Sequence, residues 1–202
     1  MKVFGIGLNK TGTSTLAACL RELGFRHTSC NLELTRQAHR GNMDPVFECA
    51  DQYESFEDWP WPLVYKELDH RYDDAKFILT RRSSPEVWFD SLKRHALRTG
   101  PTEYRKIAYG HEMPLGKKKE HIDQYHAHNA EVRRHFSGRE EKLAELCWEE
   151  GDGWKELCSF LDAPVPEEPF PHEKKGRPTL WARASYLKGM LEYRLWGASG
   201  DE

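Results

Sequence analysis

Six consecutive residues near the start of the chain, Lys10-Thr11-Gly12-Thr13-Ser14-Thr15, combine one cation, one glycine and four hydroxyls, with no acid among them. Such a set suits an anion. A glycine turn that opens a helix presents N–H groups without intrahelical partners, and the helix dipole adds partial positive charge there. Successive N–H groups around Gly12 would form a concave nest for a phosphate or sulfate, with Lys10 supplying a full charge. Arg81 and Arg82, followed by Ser91, offer a second anion site, because the guanidinium fork matches phosphate oxygens. Asp58 is the candidate acid–base residue, with Glu57, Glu54 and His27 as alternatives; such a group must lie within hydrogen-bond reach of the proton it takes.

The elements that position these groups follow from pattern. Val3, Phe4 and Ile6 form a short apolar run before the loop, as in a buried parallel strand. Leu16, Leu20 and Leu23 recur after it with helical spacing. A second strand is expected over Phe25 to Ser29. Asn31 then caps a helix reaching about Gln37 to Arg40, and Asp44-Pro45 opens another. A third strand over Tyr53 to Asp58 would leave Asp58 at its carboxyl end, the side on which open parallel sheets bind ligands. Trp59 and Trp61 in the following Trp-Pro-Trp-Pro turn either wall a pocket or fill the core. Val64, Tyr65, Leu68 and Tyr72 mark a helix. Ala75 to Thr80 is a clear strand, with Arg81 and Arg82 at its carboxyl end.

Ser84-Pro85-Glu86 opens a helix with Val87, Trp88, Ser91, Leu92 and His95 on one face. Leu97 to Lys119 is broken by Gly and Pro and is read as a covering segment ending in a solvated basic run. Tyr125, His128 or Asn129, Val132 and Phe136 give a helix face. Leu143 to Trp148 is a later strand, and a helix starts near Gly151 or Asp152. A proline-rich arm follows over Pro164 to His172, then a helix carrying Leu180, Ala184, Leu187, Leu191 and Leu195, and a frayed tail over 197–202. The alternation of strands and helices indicates an α/β fold of P-loop type. Three α/β/α layers would enclose a central parallel sheet of about four to five strands.

The order of the loop residues is distinctive. The nucleotide P-loop G-x-x-x-x-G-K-[ST] places Lys after its last Gly, whereas Lys10 precedes Gly12. The loop resembles the 5′-phosphosulfate loop of the PAPS-dependent sulfotransferases, commonly Pro-Lys-[Ser/Thr]-Gly-Thr-[Thr/Ser], with Asn9 in place of the Pro. The stretch around Arg82 resembles the same family. There a strand is followed by an Arg, a Pro and a Ser, and the Arg and Ser bind the 3′-phosphate. Ser91 keeps its spacing from Pro85, but Ser83 stands where the Arg would fall. A one-residue insertion is implied, with Arg82 in the Arg role and Arg81 as the fallback. Gly153 to Cys158 and the arm through Pro171-His172 are similar to bacterial and fungal sulfotransferase-like proteins. Lys174-Lys175-Gly176-Arg177 is a fainter likeness to the family's C-terminal Arg-Lys-Gly element.

The resemblance implies transfer of a sulfuryl group from PAPS to an acceptor hydroxyl or amine, with PAPS as co-substrate and no metal. Lys10 would meet the bridging oxygen and the leaving 5′-phosphate. Gly12 to Thr15 would hold the remaining oxygens through N–H groups, and Thr11, Thr13, Ser14 and Thr15 would add hydroxyls. Arg82 and Ser91 would meet the 3′-phosphate, and Asp58 would take the acceptor proton. The Trp that often ends this loop and holds the adenine is replaced by Leu16. The alternatives are a P-loop nucleotide kinase or phosphotransferase, and a non-catalytic binder of PAPS or PAP.

Composition narrows the rest. The 202 residues carry a net charge of −3 and suffice for one core-bearing domain, read as residues 1–202. A pI near 6.4 argues against a general nucleic-acid binder. His121, His126 and His128 lack the spacing and companion ligands of a metal set. Cys19, Cys30, Cys49, Cys147 and Cys158 are odd in number and scattered, as thiols in a reducing compartment are. No signal peptide or long apolar span is read, so a cytoplasmic protein without a membrane partner is expected. A small-molecule or glycan acceptor is the expected partner, and no oligomeric state follows from the sequence.

Overall fold

The structure, a computed structural model, describes residues 1–171 and the single residue Leu191. Five strands, β1 (Val3–Gly5), β2 (His27–Thr28), β3 (Ser55–Phe56), β4 (Lys76–Thr80) and β5 (Leu143–Leu146), form a parallel sheet in the order β2-β3-β1-β4-β5. β1 lies between β3 and β4, with Phe4 opposite Phe56 on one side and Phe77 on the other. The chain therefore leaves β1 toward one edge and later returns to fill the other side. Ligands bind outside the carboxyl ends of strands at such a reversal.

Eight helices accompany the strands among the described residues: α1 (Thr13–Glu22), α2 (Leu32–His39), α3 (Asp44–Gln52), α4 (Tyr65–Arg71), α5 (Pro85–Thr99), α6 (Glu103–Tyr109), α7 (Lys118–His135) and α8 (Trp154–Leu161). Because side chains alternate across a strand, β1 feeds both faces of the sheet. Val3 packs with Leu16 and Leu20 of α1 and with Leu157 and Leu161 of α8. Phe4 packs on the opposite face with Phe56, Trp61, Tyr65, Phe77 and Phe136. A third cluster, Leu8, Trp59, Trp88, Phe89, Leu92, Tyr109 and Tyr125, joins α5, α6 and α7 to the loop after β1. This cluster supports the loop from the helical side.

Most element expectations hold, with these corrections. The second strand is shorter than Phe25 to Ser29, and the third is shorter than Tyr53 to Asp58, so Asp58 lies just past the carboxyl end of β3. Trp59 and Trp61 are both buried in core clusters, which settles the choice against a pocket wall. Val87 is 37% exposed and leaves the face shared by Trp88, Ser91 and Leu92. The interrupted stretch after Leu97 also contains α6, capped by the Thr102 side chain and ended by Gly110. Arg105 is buried there, donating from Nε to Glu112 O at 2.7 Å and bonding to Thr99 and Gly100. The seven residues of α6 are too few to show a helical period. The expected last helix, Lys174 to Arg177 and the 197–202 tail lie outside the described residues, Leu191 aside.

Phe4 holds the larger face together, with ring centroids 4.5 Å from Phe56 and 5.5 Å from Phe77. Phe4→Ala is expected to cost about 3–5 kcal/mol in urea unfolding, as large-to-small core changes do. A loss below about 1 kcal/mol would contradict this packing.

Candidate functional site

The loop after β1 is held from below. Ile6 N–H continues the pairing to Ile78 O at 2.8 Å. Gly7 passes so close to Thr80 that a Cβ would lie 2.8 Å from its backbone nitrogen. The fully buried Thr11 donates its hydroxyl to Leu8 O at 2.6 Å and shares a 2.7 Å bond with the Thr80 hydroxyl. Its N–H also returns to Leu8 O. The expectation that the Thr11 hydroxyl faces an anion is therefore corrected: burial and these bonds make it a structural tie.

Gly12 begins α1 with φ 100°, a left-handed conformation that favours glycine. Its carbonyl accepts N–H bonds from Thr15 and Leu16 and the indole N–H of Trp148 at 3.1 Å. A Cβ at Gly12 would stand 2.5 Å from that indole nitrogen, so Trp148 also requires glycine here. The first turn of α1 contains no acid. The N–H groups of a helix's first turn, at the positive end of its dipole, suit an anion.

Lys10 is the other unusual backbone position, with φ 71°. A left-handed lysine is uncommon and is held by its surroundings. Arg82 Nε donates to Lys10 O at 2.7 Å. One residue earlier, Trp88 donates its indole N–H to Asn9 O at 2.9 Å, and the Tyr109 hydroxyl donates to Asn9 Oδ1 at 2.5 Å. Asn9 thus replaces a proline's rigidity with two side-chain anchors from α5 and α6.

The two arginines after β4 separate. Arg81 turns to the sheet edge, with Nε 2.7 Å from Glu145 Oε1 and both terminal nitrogens bonded to Glu150. Arg82 turns to the loop, and its N–H reaches the Tyr125 hydroxyl at 3.0 Å. Of the pair, only Arg82 therefore meets the Lys10 loop. Ser91 lies on the buried face of α5, the helix that also carries Trp88.

The candidate bases also separate. Glu54 lies before β3, bonded to Arg26 N–H and paired with its guanidinium, at the end of the sheet away from the loop. Glu57 is buried at the carboxyl end of β3 and receives the Ser29 hydroxyl. His27 Nε2 stands 3.8 Å from its Oε1, while Nδ1 of the same ring pairs with the Ser55 hydroxyl at 2.9 Å. Burial pushes the Glu57 carboxyl up, but His27 and the hydroxyls of Ser29 and Thr13 outweigh it and hold it below the usual glutamate value. Glu57 therefore ties β2, β3 and the first turn of α1 together.

Asp58 takes a different direction. It is half-buried, has φ 63°, and accepts the N–H of Trp59 at 3.0 Å. Its charge acts on Cys30, Tyr104 and Tyr109; burial, the Cys30 neighbour and Asp58 push the Tyr104 hydroxyl up to about 12. Tyr109 is the residue that anchors Asn9, so Asp58 borders the same side of the loop. Lys10 and Asp58 are two of three non-glycine residues with positive φ among the described residues; the third, Asp162, ends α8.

Three contributors escaped the sequence reading: Trp148 on Gly12, Tyr109 on Asn9, and Glu149, which bonds to Arg82. Trp148 and Glu149 follow β5 directly, so the rule that ligands bind at strand carboxyl ends was the signal that pointed to them. Among the described residues, no cluster of three or more His, Cys, Asp or Glu is arranged to hold a metal, and no helix is long and apolar enough to cross a membrane.

This geometry agrees with comparison to known proteins. The profile of the sulfotransferase domain matches residues 2–109 and 98–178, and the chain belongs to that family. It is also 30% identical over 231 aligned residues to "Ava biosynthesis cluster protein M" of Aspergillus versicolor, covering 91% of this chain and 87% of that protein. The chain is thus sulfotransferase-like in sequence, with the α/β architecture such a family requires.

Glu57→Gln is expected to lower stability by about 1–3 kcal/mol at neutral pH, because it removes a charged acceptor from buried donors. Since folding lowers the Glu57 pKa, its contribution is complete above the ordinary value of 4.5 and fades as pH falls through the folded value. The gap between wild type and variant in denaturant melts should therefore shrink on acidification. A gap that stays constant down to about pH 3 would contradict the role given to this carboxylate.

Proposed function

We propose that this protein transfers a sulfuryl group from PAPS to a hydroxyl or amine of an acceptor by in-line displacement. The observation that carries the reading is the Lys10 peptide. It is held left-handed by Arg82 and lies beside an acid-free helix start whose glycine leaves no room for a side chain. These residues fit a doubly anionic donor: a lysine and N–H cradle for its 5′ end, and Arg82 with Ser91 for its 3′ end.

In this scheme the catalytic contribution is positioning and charge compensation. Lys10 neutralises charge that develops on the oxygen joining sulfur to the 5′-phosphate as that bond breaks. N–H groups of the first turn of α1 hold the neighbouring oxygens. Asp58 accepts the acceptor's proton as the new sulfur–oxygen or sulfur–nitrogen bond forms. Its half-buried position suits that role better than the enclosed Glu57. Thr13, Ser14 and Thr15 complete the cradle, while Thr11 fixes its shape.

We take the acceptor to be a small molecule. The name of the Aspergillus versicolor relative ties that protein to a biosynthesis cluster, which supports this choice over a glycan. We further propose that residues 1–202 form a single sulfotransferase-like domain working in the cytoplasm. The free thiols of all five cysteines are consistent with a reducing setting.

Calorimetry with PAP, and with ATP in the presence of magnesium, tests the donor. Preferential binding of PAP is expected, and preference for magnesium-ATP would replace the reading with a nucleotide kinase. With labelled PAPS and an acceptor panel, Lys10→Ala should lower kcat by about 10²–10³. Asp58→Asn should lower kcat by about 10²–10⁴, with PAP affinity kept within about twofold. Full turnover by either variant would remove the role assigned to that residue.

A further inference from the structure

Glu149 makes an arrangement that the donor-binding scheme does not use. Three donors from the Arg82–Ser83 segment converge on its carboxylate. Arg82 Nη1 reaches Oε1 at 2.6 Å, while Ser83 N–H and the Ser83 hydroxyl reach Oε2 at 3.0 Å and 2.8 Å. A guanidinium, a backbone N–H and a hydroxyl aimed at one set of oxygens form the donor group that a phosphate monoester takes. An anion site has been built after β4, and the chain's own carboxylate fills it.

The pair is also displaceable. The side chains of Arg82 and Glu149 are 24% and 33% exposed, so the pair is partly covered yet reachable from solvent. Arg82 does not need Glu149 to reach the loop, because a separate nitrogen, Nε, holds Lys10 O. An incoming phosphate would thus exchange for the carboxylate on Nη1 and Ser83 while the Lys10 peptide stays tied. A phosphate monoester brings about −1.5 to −2 charges at neutral pH against one on the carboxylate.

We infer that Glu149 is an internal occupant of the 3′-phosphate subsite, displaced only by a donor that carries phosphate at that position, and that it thereby tempers the affinity for 3′-phosphorylated nucleotides while leaving others untouched. This rests on the proposed PAPS reading and adds Ser83 to the residues that meet the 3′ end. Without ligand, Glu149 neutralises the charge of Arg82. With ligand, the carboxylate must leave, so a fraction of the 3′-phosphate binding energy goes into its displacement. A nucleotide lacking the 3′-phosphate leaves the pair intact and gains nothing from the site.

The test is calorimetric titration of the wild-type chain, Glu149→Gln and Glu149→Asp with PAP and, separately, with AMP, which has the 5′-phosphate alone. Glu149→Gln should bind PAP about five- to tenfold more tightly than wild type, with AMP affinity unchanged within about twofold. Glu149→Asp keeps the charge but shortens the reach, and should also gain affinity for PAP and not for AMP. Equal gains for both nucleotides in Glu149→Gln, with none in Glu149→Asp, would reduce the effect to a general loss of negative charge and overturn the inference. Unchanged or weaker PAP binding in both variants would make Glu149 a support for Arg82 and overturn it as well. If PAP binds to none of the three proteins, the donor reading falls and this inference with it. That outcome is distinguishable from the others because it appears already in the wild type.

Discussion

The bond from Arg82 Nε to the carbonyl of Lys10 is the contact on which the site depends. A lysine with φ 71° pays a steric cost that glycine would avoid. That conformation persists because the carbonyls on both sides of the turn are held from outside it. Arg82 takes that of Lys10 and Trp88 takes that of Asn9. The Lys10 backbone is thereby fixed beside the helix start.

The sheet explains how such distant residues meet. β1 is central, so the loop that follows it is flanked by the carboxyl ends of β3 and β4. β4 delivers Arg82, β3 delivers Glu57 and Asp58, and β5 delivers Trp148 and Glu149. The third aromatic cluster then closes the helical side. Trp88 stacks on Tyr125 at 4.6 Å, Tyr109 meets the edge of Trp59, and both Trp88 and Tyr109 reach Asn9 through their polar atoms. These rings are apolar in body and polar at one tip, which lets a single side chain pack and position together. His128 adds a further tie from α7, with Nε2 donating to Ile6 O at 2.8 Å.

The anion loop and the α/β alternation were legible because they are local. The order of Lys10, Gly12 and the hydroxyls, preceded by an apolar strand and followed by helical leucines, is written within twenty residues of the sequence. Arg81 and Arg82, which resemblance alone distinguishes in sequence, turn to opposite partners past β4, one to Glu145 and Glu150, the other to Lys10. Thr11 was misread because its hydroxyl type does not say which way it faces; its partner Thr80 is 69 residues away. Trp148 and Glu149 stand just past β5, where strand carboxyl ends point to a site, but their contacts with Gly12 and Arg82, like that of Tyr109 with Asn9, exist only once β5 and α6 have been placed. The Trp59 and Trp61 alternatives were closed by burial, a property of the packed whole.

The most direct test of the account is a crystal structure of the complex with PAP. The 5′-phosphate should lie within hydrogen-bond distance of Lys10 Nζ and of N–H groups in the first turn of α1, with the Arg82 Nε bond to Lys10 O still formed. A 5′-phosphate bound elsewhere, with Lys10 Nζ directed into solvent, would contradict it.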